Sequence, residues 1–287
     1  ALSKNGGNSV VRGLVINRFA PAANQQGGGV YIRTGGNNLI EGNYIGTDVT
    51  GTLPLGNSSG VWIGGSGGNR VGGTTLAARN IIADNKAGNG AGIWTVNPNN
   101  VIQGNYIGTD VTGTVALPNG FGLVITGSNN LIGGTTAGAR NLISGNRDAA
   151  LEICANCGAF PTTGNVVQGN YIGTDAGGAN ALPNIDNFGG AVLVRAAGNT
   201  IGGTAPGAGN VIAGNNGSGV VIGMLFGNVP PANNNLVAGN LIGTAADGVT
   251  PMGNTRHGVH IGFFSPASQN TIGGTTASAA NTIANNR

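Results

Sequence analysis

The fold is decided by the stretch Asn99-Asn-Val-Ile-Gln-Gly-Asn-Tyr-Ile-Gly-Thr-Asp110. An asparagine stands two residues before Ile102, and another stands two residues before Ile107. The same spacing returns along the chain at intervals of roughly 30 residues, a period that indicates a solenoid. In a solenoid each coil buries its apolar side against its neighbours.

Each coil carries two such branched residues with their asparagines. The first branched residues are Ile40, Val71, Ile102, Ile132, Val167, Ile201, Val237 and Ile272. Their asparagines are Asn38, Asn69, Asn100, Asn130, Asn165, Asn199, Asn235 and Asn270. The second are always isoleucine, at Ile45, Ile82, Ile107, Ile143, Ile172, Ile212, Ile242 and Ile283. Their asparagines are Asn43, Asn80, Asn105, Asn141, Asn170, Asn210, Asn240 and Asn281.

The two residue types predict short strands separated by corners. A branched side chain between glycines and small polar residues favours a strand that points it inward. Asparagine tolerates the left-handed backbone of a sharp corner, and stacked asparagines can bond one another in a ladder. A third corner is expected at Asp48, Asn85, Asp110, Asn146, Asp175, Asn215, Ala245 and Asn286.

The composition excludes several classes of protein. Charged residues make up 7% of the chain, against roughly 25% in an average soluble domain. The periodic branched residues nevertheless argue against disorder. The 12 basic residues are scattered, so nucleic-acid binding is not predicted. No apolar run has the length that crosses a bilayer. No signal peptide opens the sequence, so we expect a processed chain or a fragment.

The coils begin with strands such as Val30-Tyr-Ile32 and Val61-Trp-Ile63. Residues 1–26 are predicted to form a partial N-terminal coil, and residues 27–287 a single domain. Two coil types alternate, one with Gly-Asn-Tyr-Ile-Gly-Thr-Asp and a nine-residue loop, the other with a Gly-Gly-Thr-Thr-like loop. Eight coils, each with three short strands, are expected to begin near residues 27, 58, 90, 120, 150, 188, 217 and 255.

This pattern resembles the right-handed parallel β-helix of the pectin-lyase-like superfamily. It is especially similar to Gly/Asn-rich repeats of large secreted bacterial surface proteins. The resemblance covers residues 27–287 and implies an all-β fold and an extracellular or cell-surface location. It does not select a function, because this superfamily includes lyases, hydrolases, tailspikes, adhesins and spacers. No local motif of the lyases or epimerases is present.

The carboxylates do not predict a catalytic site. Glycoside hydrolysis needs two carboxylates about 5–10 Å apart, and Asp48, Asp110 and Asp175 recur in every second coil. Asparagine fills the same position in the coils between, so we interpret these aspartates as corner residues. No cofactor is predicted, although calcium at these aspartates is an alternative.

Two glutamates and the cysteines have structural interpretations. Glu41 is expected on a solvated polar stripe, and Glu152 in a surface ion cluster with Asp148, Arg147 or Arg195. Cys154 and Cys157 are close enough in sequence for a local disulfide in an extracellular chain.

Aromatic side chains are the stronger candidates for binding. Tyr31, Trp62 and Trp94 are the outward middle residues of three consecutive first strands, so they are predicted to stack along one face. Such a row either holds sugar rings or lies beneath loops. Three long loops break the repeat and add apolar residues that would suit a partner, among them Phe160, Phe226, Phe263 and Phe264.

Two functions remain open. The first is a structural module of a bacterial surface fibre, filament, adhesin or matrix protein, with its ends covered by other copies of itself or by further repeats of a longer chain. The second is a carbohydrate-binding or polysaccharide-active protein. A pair of acids, or an acid with a basic residue, on one exposed strand face would favour the second.

Overall fold

The computed structural model describes residues 2–19, 28–86, 90–155, 162–223, 231–262 and 266–287, with the backbone alone at residues 4 and 186–188. Its elements are short strands that recur three to a coil. Glycines and asparagines flank each branched residue, so no strand continues beyond the corner where they stand.

The strands of the first five coils follow in chain order. They are β1 (Leu2–Asn5), β2 (Val10–Arg12), β3 (Val15–Ile16), β4 (Gly28–Thr34), β5 (Leu39–Glu41), β6 (Tyr44–Ile45), β7 (Ser59–Ile63), β8 (Arg70–Gly72), β9 (Ile81–Ile82), β10 (Ala91–Thr95), β11 (Val101–Gln103), β12 (Tyr106–Ile107), β13 (Phe121–Ile125), β14 (Leu131–Gly133) and β15 (Leu142–Ile143).

Four more coils complete the described structure. Their strands are β16 (Leu151–Cys154), β17 (Val166–Gln168), β18 (Tyr171–Ile172), β19 (Ile185–Arg195), β20 (Thr200–Gly202), β21 (Val211–Ile212), β22 (Asn216–Ile222), β23 (Leu236–Ala238), β24 (Leu241–Ile242), β25 (Val259–Ile261), β26 (Thr271–Ile272) and β27 (Thr282–Ile283). Single turns of 3-10 helix span Leu76–Ala78, Ala137–Ala139 and Ala277–Ala279.

Three parallel sheets of nine strands each form the faces of the molecule. Sheet A contains the first strand of every coil, sheet B the second and sheet C the third. Each strand pairs in parallel with the equivalent strand of the next coil, as Ile107 does with Ile82 and Ile143. This arrangement confirms the all-β, right-handed parallel β-helix. The described residues form nine coils, because residues 2–16 also supply one strand to each sheet.

The core runs along the axis between the sheets. The inward isoleucines of the interior coils, such as Ile45, Ile107 and Ile143, have no exposed surface, whereas Tyr106 beside Ile107 is half-buried. Each interior coil contributes two inward side chains from its first strand and one from each of the other two, and this apolar surface is covered by the coils above and below it.

The asparagines of the first two corners form ladders that run from coil to coil. In the second ladder the Nδ2 of each asparagine donates to the Oδ1 of the next, and Asn80 bonds Asn105 at 2.9 Å in this way. The left-handed backbone lies one residue earlier, at Asn99 before Asn100 and at Gly104 before Asn105. The ladder asparagines therefore supply hydrogen bonds, while their predecessors make the turn.

The third ladder contains the predicted Asn85, Asn146, Asn215 and Asn286 and differs from the prediction in the coils between them. It runs through Asn57, Asn85, Asn119, Asn146, Asn184, Asn215, Asn254 and Asn286. The corner prediction for Asp48, Asp110 and Asp175 was wrong. The nine-residue loop moves the corner to its far end, and an ionised aspartate has no N–H group to donate to the next coil.

Candidate functional site

One row of outward side chains follows the whole length of sheet A, and we call it the outer stripe. Strand register puts its members side by side, since Trp62 pairs with both Tyr31 and Trp94. In order, the stripe consists of Ser3, Tyr31, Trp62, Trp94, Val124, Glu152, Leu193, Val221 and His260. The predicted alignment of the three aromatic residues is therefore present.

The aromatic part of the outer stripe is partly covered. The Tyr31 and Trp62 rings stack with their centroids 5.1 Å apart, and the Arg33 guanidinium lies 5.8 Å from the Tyr31 ring centre. Tyr31 is buried, whereas Trp62 and Trp94 are half-buried. Burial raises the pKa of Tyr31, and the positive charge of Arg33 partly offsets this rise. The tyrosine is therefore neutral at ordinary pH.

Trp94 has an unused hydrogen-bond donor. Its Nε1 is buried and has no hydrogen-bond partner within the described residues. A buried indole N–H ordinarily finds an acceptor, so an unpaired one marks a place where a ligand or a water molecule fits. The half-buried rings of Trp62 and Trp94 offer flat surfaces on which a sugar ring can stack.

An acid in the middle of the outer stripe is paired with an arginine that lies beside the stripe. Glu152 is 4% exposed and its Oε1 is paired with Nη1 of Arg195, which lies in the next coil. The expected pairing of Glu152 with Arg195 is present. Its expected place at the surface was wrong, since the strand neighbours Val124 and Leu193 are both buried beside Glu152. A buried ion pair positions both groups, but the carboxylate is not open to solvent as a free catalytic acid would be.

The aspartates of the nine-residue loops fold those loops. The Oδ1 of Asp48 accepts hydrogen bonds from the amides of Thr52 and Leu53 at 3.1 and 3.0 Å and from the Thr50 hydroxyl at 2.9 Å. The Leu53 amide contributes most to lowering the pKa of Asp48 to about 2. Asp110 accepts equivalent bonds.

Asp175 has the same role with a different partner. Burial opposes its ionisation, but hydrogen bonds led by the Asn180 side chain outweigh this effect and lower its pKa. No three histidine, cysteine, aspartate or glutamate side chains come together for a metal ion within the described parts of the chain.

The remaining predicted residues are only partly placed. Cys154 is disulfide-bonded and buried in sheet A, and Cys157 lies outside the described residues. Phe160, Phe226, Phe263 and Phe264 also lie outside them.

His260 ends the outer stripe, with its ring centroid 4.8 Å from that of His257. Burial and the neighbouring His257 lower its pKa, so it is neutral at physiological pH.

One charged group was missed from the sequence. Glu41 was expected on a solvated stripe, yet it is 8% exposed and is paired with both Arg12 and Arg70. The sequence does place opposite charges together, because Arg12 and Glu41 occupy the same outward position in adjacent coils. This pairing becomes visible only when the register between β2 and β5 is known.

Comparisons with known proteins give one structural likeness. No family model matches the chain, and no curated protein matches it. A solved structure, the alginate lyase from Paenibacillus sp., is similar over 94% of this chain and 85% of that one, with 14% identity and a TM-score of 0.46. The β-helix is established here by the three parallel sheets, independently of that likeness. Within the described residues, no helix is long and apolar enough to cross a membrane.

Proposed function

We propose that the chain is a structural β-solenoid module of an extracellular surface or matrix protein. The observation that carries the proposal is the use of the repeated side chains. The inward isoleucines and three asparagine ladders all serve to join one coil to the next. The aspartates that recur with them accept hydrogen bonds within their own loops, so a role in folding those loops accounts for them.

The last described coil exposes strand residues whose equivalents in the preceding coil are buried. Ile261 and Ile283 are 41% and 46% exposed, whereas Ile222 and Ile242, their partners in the preceding coil, have no exposed surface. An open coil edge with apolar residues pairs readily with another strand. The occupant that fits it is another coil of this kind, from a second copy or from further repeats.

Sedimentation velocity over a range of concentrations tests this proposal. The wild-type chain is expected to associate, and Ile283→Lys to reduce association by placing a charge at the stacking edge. Val49→Lys is the matched control, because Val49 is 73% exposed in a loop away from that edge. A chain that stays monomeric at high concentration while its last coil is ordered would contradict self-association.

A second function, binding of a polysaccharide along the outer stripe, is favoured by the stacked Tyr31 and Trp62 rings and the unpaired N–H of Trp94. The chain has two tryptophans, and both lie in this stripe, so tryptophan fluorescence reports on it alone. Addition of a bound polysaccharide should change the emission, and Trp62→Ala should remove binding while Val115→Ala, in an exposed loop, keeps it. Unchanged emission across neutral and acidic polysaccharides would exclude this function.

A further inference from the structure

A charged cleft lies on sheet B, on a different face from the outer stripe. It has a volume of about 370 Å³, and Arg12, Glu41 and Arg70 line it together with Thr74 and Thr75. A cleft of this volume is at the lower end of the range that holds small-molecule ligands.

The glutamate holds the two arginines in place. Arg12 donates from Nε and Nη2 to Glu41 Oε1 at 2.8 and 2.5 Å, and Arg70 donates from Nη2 to Oε2 at 3.3 Å. The glutamate side chain is 11% exposed, whereas those of Arg12 and Arg70 are 61% and 50% exposed. The carboxylate is therefore enclosed, and the guanidinium groups remain open to solvent.

The cleft keeps a positive charge and free donors. Two guanidinium groups and one carboxylate leave a net charge of +1. A guanidinium has five N–H groups, of which Arg12 directs two and Arg70 one at Glu41. The remaining N–H groups, with the hydroxyls of Thr74 and Thr75, can donate to a ligand in the cleft.

The repeat itself does not require these charges. Two coils further along the chain, the positions equivalent to Arg12, Glu41 and Arg70 are occupied by Gly72, Gln103 and Leu131. That copy keeps the Gly-Gly-Thr-Thr loop, at 133–136, and its helical turn at Ala137–Ala139. Since the uncharged version stacks equally well, the arginines and the glutamate are an addition to the scaffold.

We propose that this cleft binds an oxyanion, either the carboxylate or the sulfate group of a small ligand, with Glu41 as a positioning residue. The planar fork of a guanidinium matches two oxygens of such a group. Enclosure of Glu41 keeps both forks oriented before the ligand arrives. The site shares no residue with the last coil or with the outer stripe, so its test does not depend on the tests of those functions.

The test follows the Nε–H resonances of arginine by NMR while sodium glucuronate or sodium sulfate is added at constant ionic strength. The resonances of Arg12 and Arg70 are expected to shift as the anion is added and to reach a plateau when the cleft is fully occupied. Arg70→Leu, which copies Leu131, should weaken binding about tenfold through loss of charge-assisted hydrogen bonds. Arg147→Leu removes an equal charge from an exposed position elsewhere and should leave binding unchanged.

Glu41→Gln, which copies Gln103, separates anion binding from a purely structural ion pair. It raises the cleft charge to +2 and keeps an amide oxygen that accepts from the guanidinium groups, so binding should tighten about threefold through removal of the opposing charge. Saturation with glucuronate alone identifies a planar carboxylate site, and saturation with sulfate alone a tetrahedral one. The proposal is overturned if neither anion shifts Arg12 and Arg70 in the wild-type chain, or if Arg147→Leu weakens binding as much as Arg70→Leu.

Discussion

Replacement of Asn105 by alanine tests how the coils are joined. Asn105 is fully buried, and its Nδ2 donates to the carbonyls of Val71 and Gln103 at 2.9 Å and to Asn141 Oδ1 at 3.1 Å. Its Oδ1 accepts from the backbone N–H and the Nδ2 of Asn80. The substitution therefore removes five hydrogen bonds, four of which connect the coil of Asn105 to the coils on either side.

The expected loss of stability follows from the groups left without partners. The most costly is the buried backbone N–H of Asn80, and an unpaired buried group costs about 1–3 kcal/mol. The Nδ2 of Asn80 and the carbonyl oxygens of Val71 and Gln103 also lose a partner. In total, the free energy of unfolding should fall by about 3–5 kcal/mol. Unfolding entropy of about 2.1 cal/mol/K per residue converts this to a decrease in Tm of roughly 5–8 °C for 287 residues.

Thermal unfolding followed by circular dichroism, with hydrogen exchange at the Asn80 amide, measures both effects. Ser128→Ala is the control, because the half-buried Ser128 hydroxyl accepts a hydrogen bond from the Thr163 amide near the surface. Its cost should be about 1 kcal/mol or less. Equal melting temperatures for the two variants, with unchanged protection of Asn80, would refute the ladder as a source of stability.

Three further outcomes are expected. Ile107→Ala should lower the free energy of unfolding by about 2–5 kcal/mol in urea titrations, and a loss below about 1 kcal/mol would contradict its place in the core. The pKa of Asp48 is lowered in the fold to about 2, so its contribution to loop stability is present above about pH 4 and lost as pH falls toward 2. Asp48→Asn should abolish that change in the NMR signals of Leu53, and an unaltered titration would contradict it. Neutral and anionic polysaccharides should show no cleavage, whereas turnover that disappears in Asp110→Asn would contradict its loop-folding role.

The fold could be predicted because its determinants are local and repeated. An isoleucine such as Ile107 has an asparagine two residues before it in every coil from residue 27 onward, so the period shows where it points without knowledge of the rest of the chain. The third ladder was partly missed because its residues depend on the path of a loop and not on a local pattern. Asp110 and Asn119 are both plausible corner residues, and only the path of the intervening loop decides which one meets Asn85.

The candidate sites were less predictable because they depend on contacts between coils. The alignment of Trp62 and Trp94 follows from period alone, but the unpaired N–H of Trp94 does not. The burial of Glu152 depends on the residues packed around it. The pairing of Glu41 with Arg12 required a strand at Val10–Arg12, where the sequence lacks the usual repeat.

The most direct test of the structural role is the electron microscopy of the purified chain at high concentration. Nine coils spaced by about 4.8 Å give each copy a length of about 43 Å. If open coil edges stack on one another, the images should show rods with an axial repeat of about 43 Å, and Ile283→Lys should shorten them. Single particles of about 43 Å at every concentration, with ordered last coils, would contradict a structural module that stacks through its end coils.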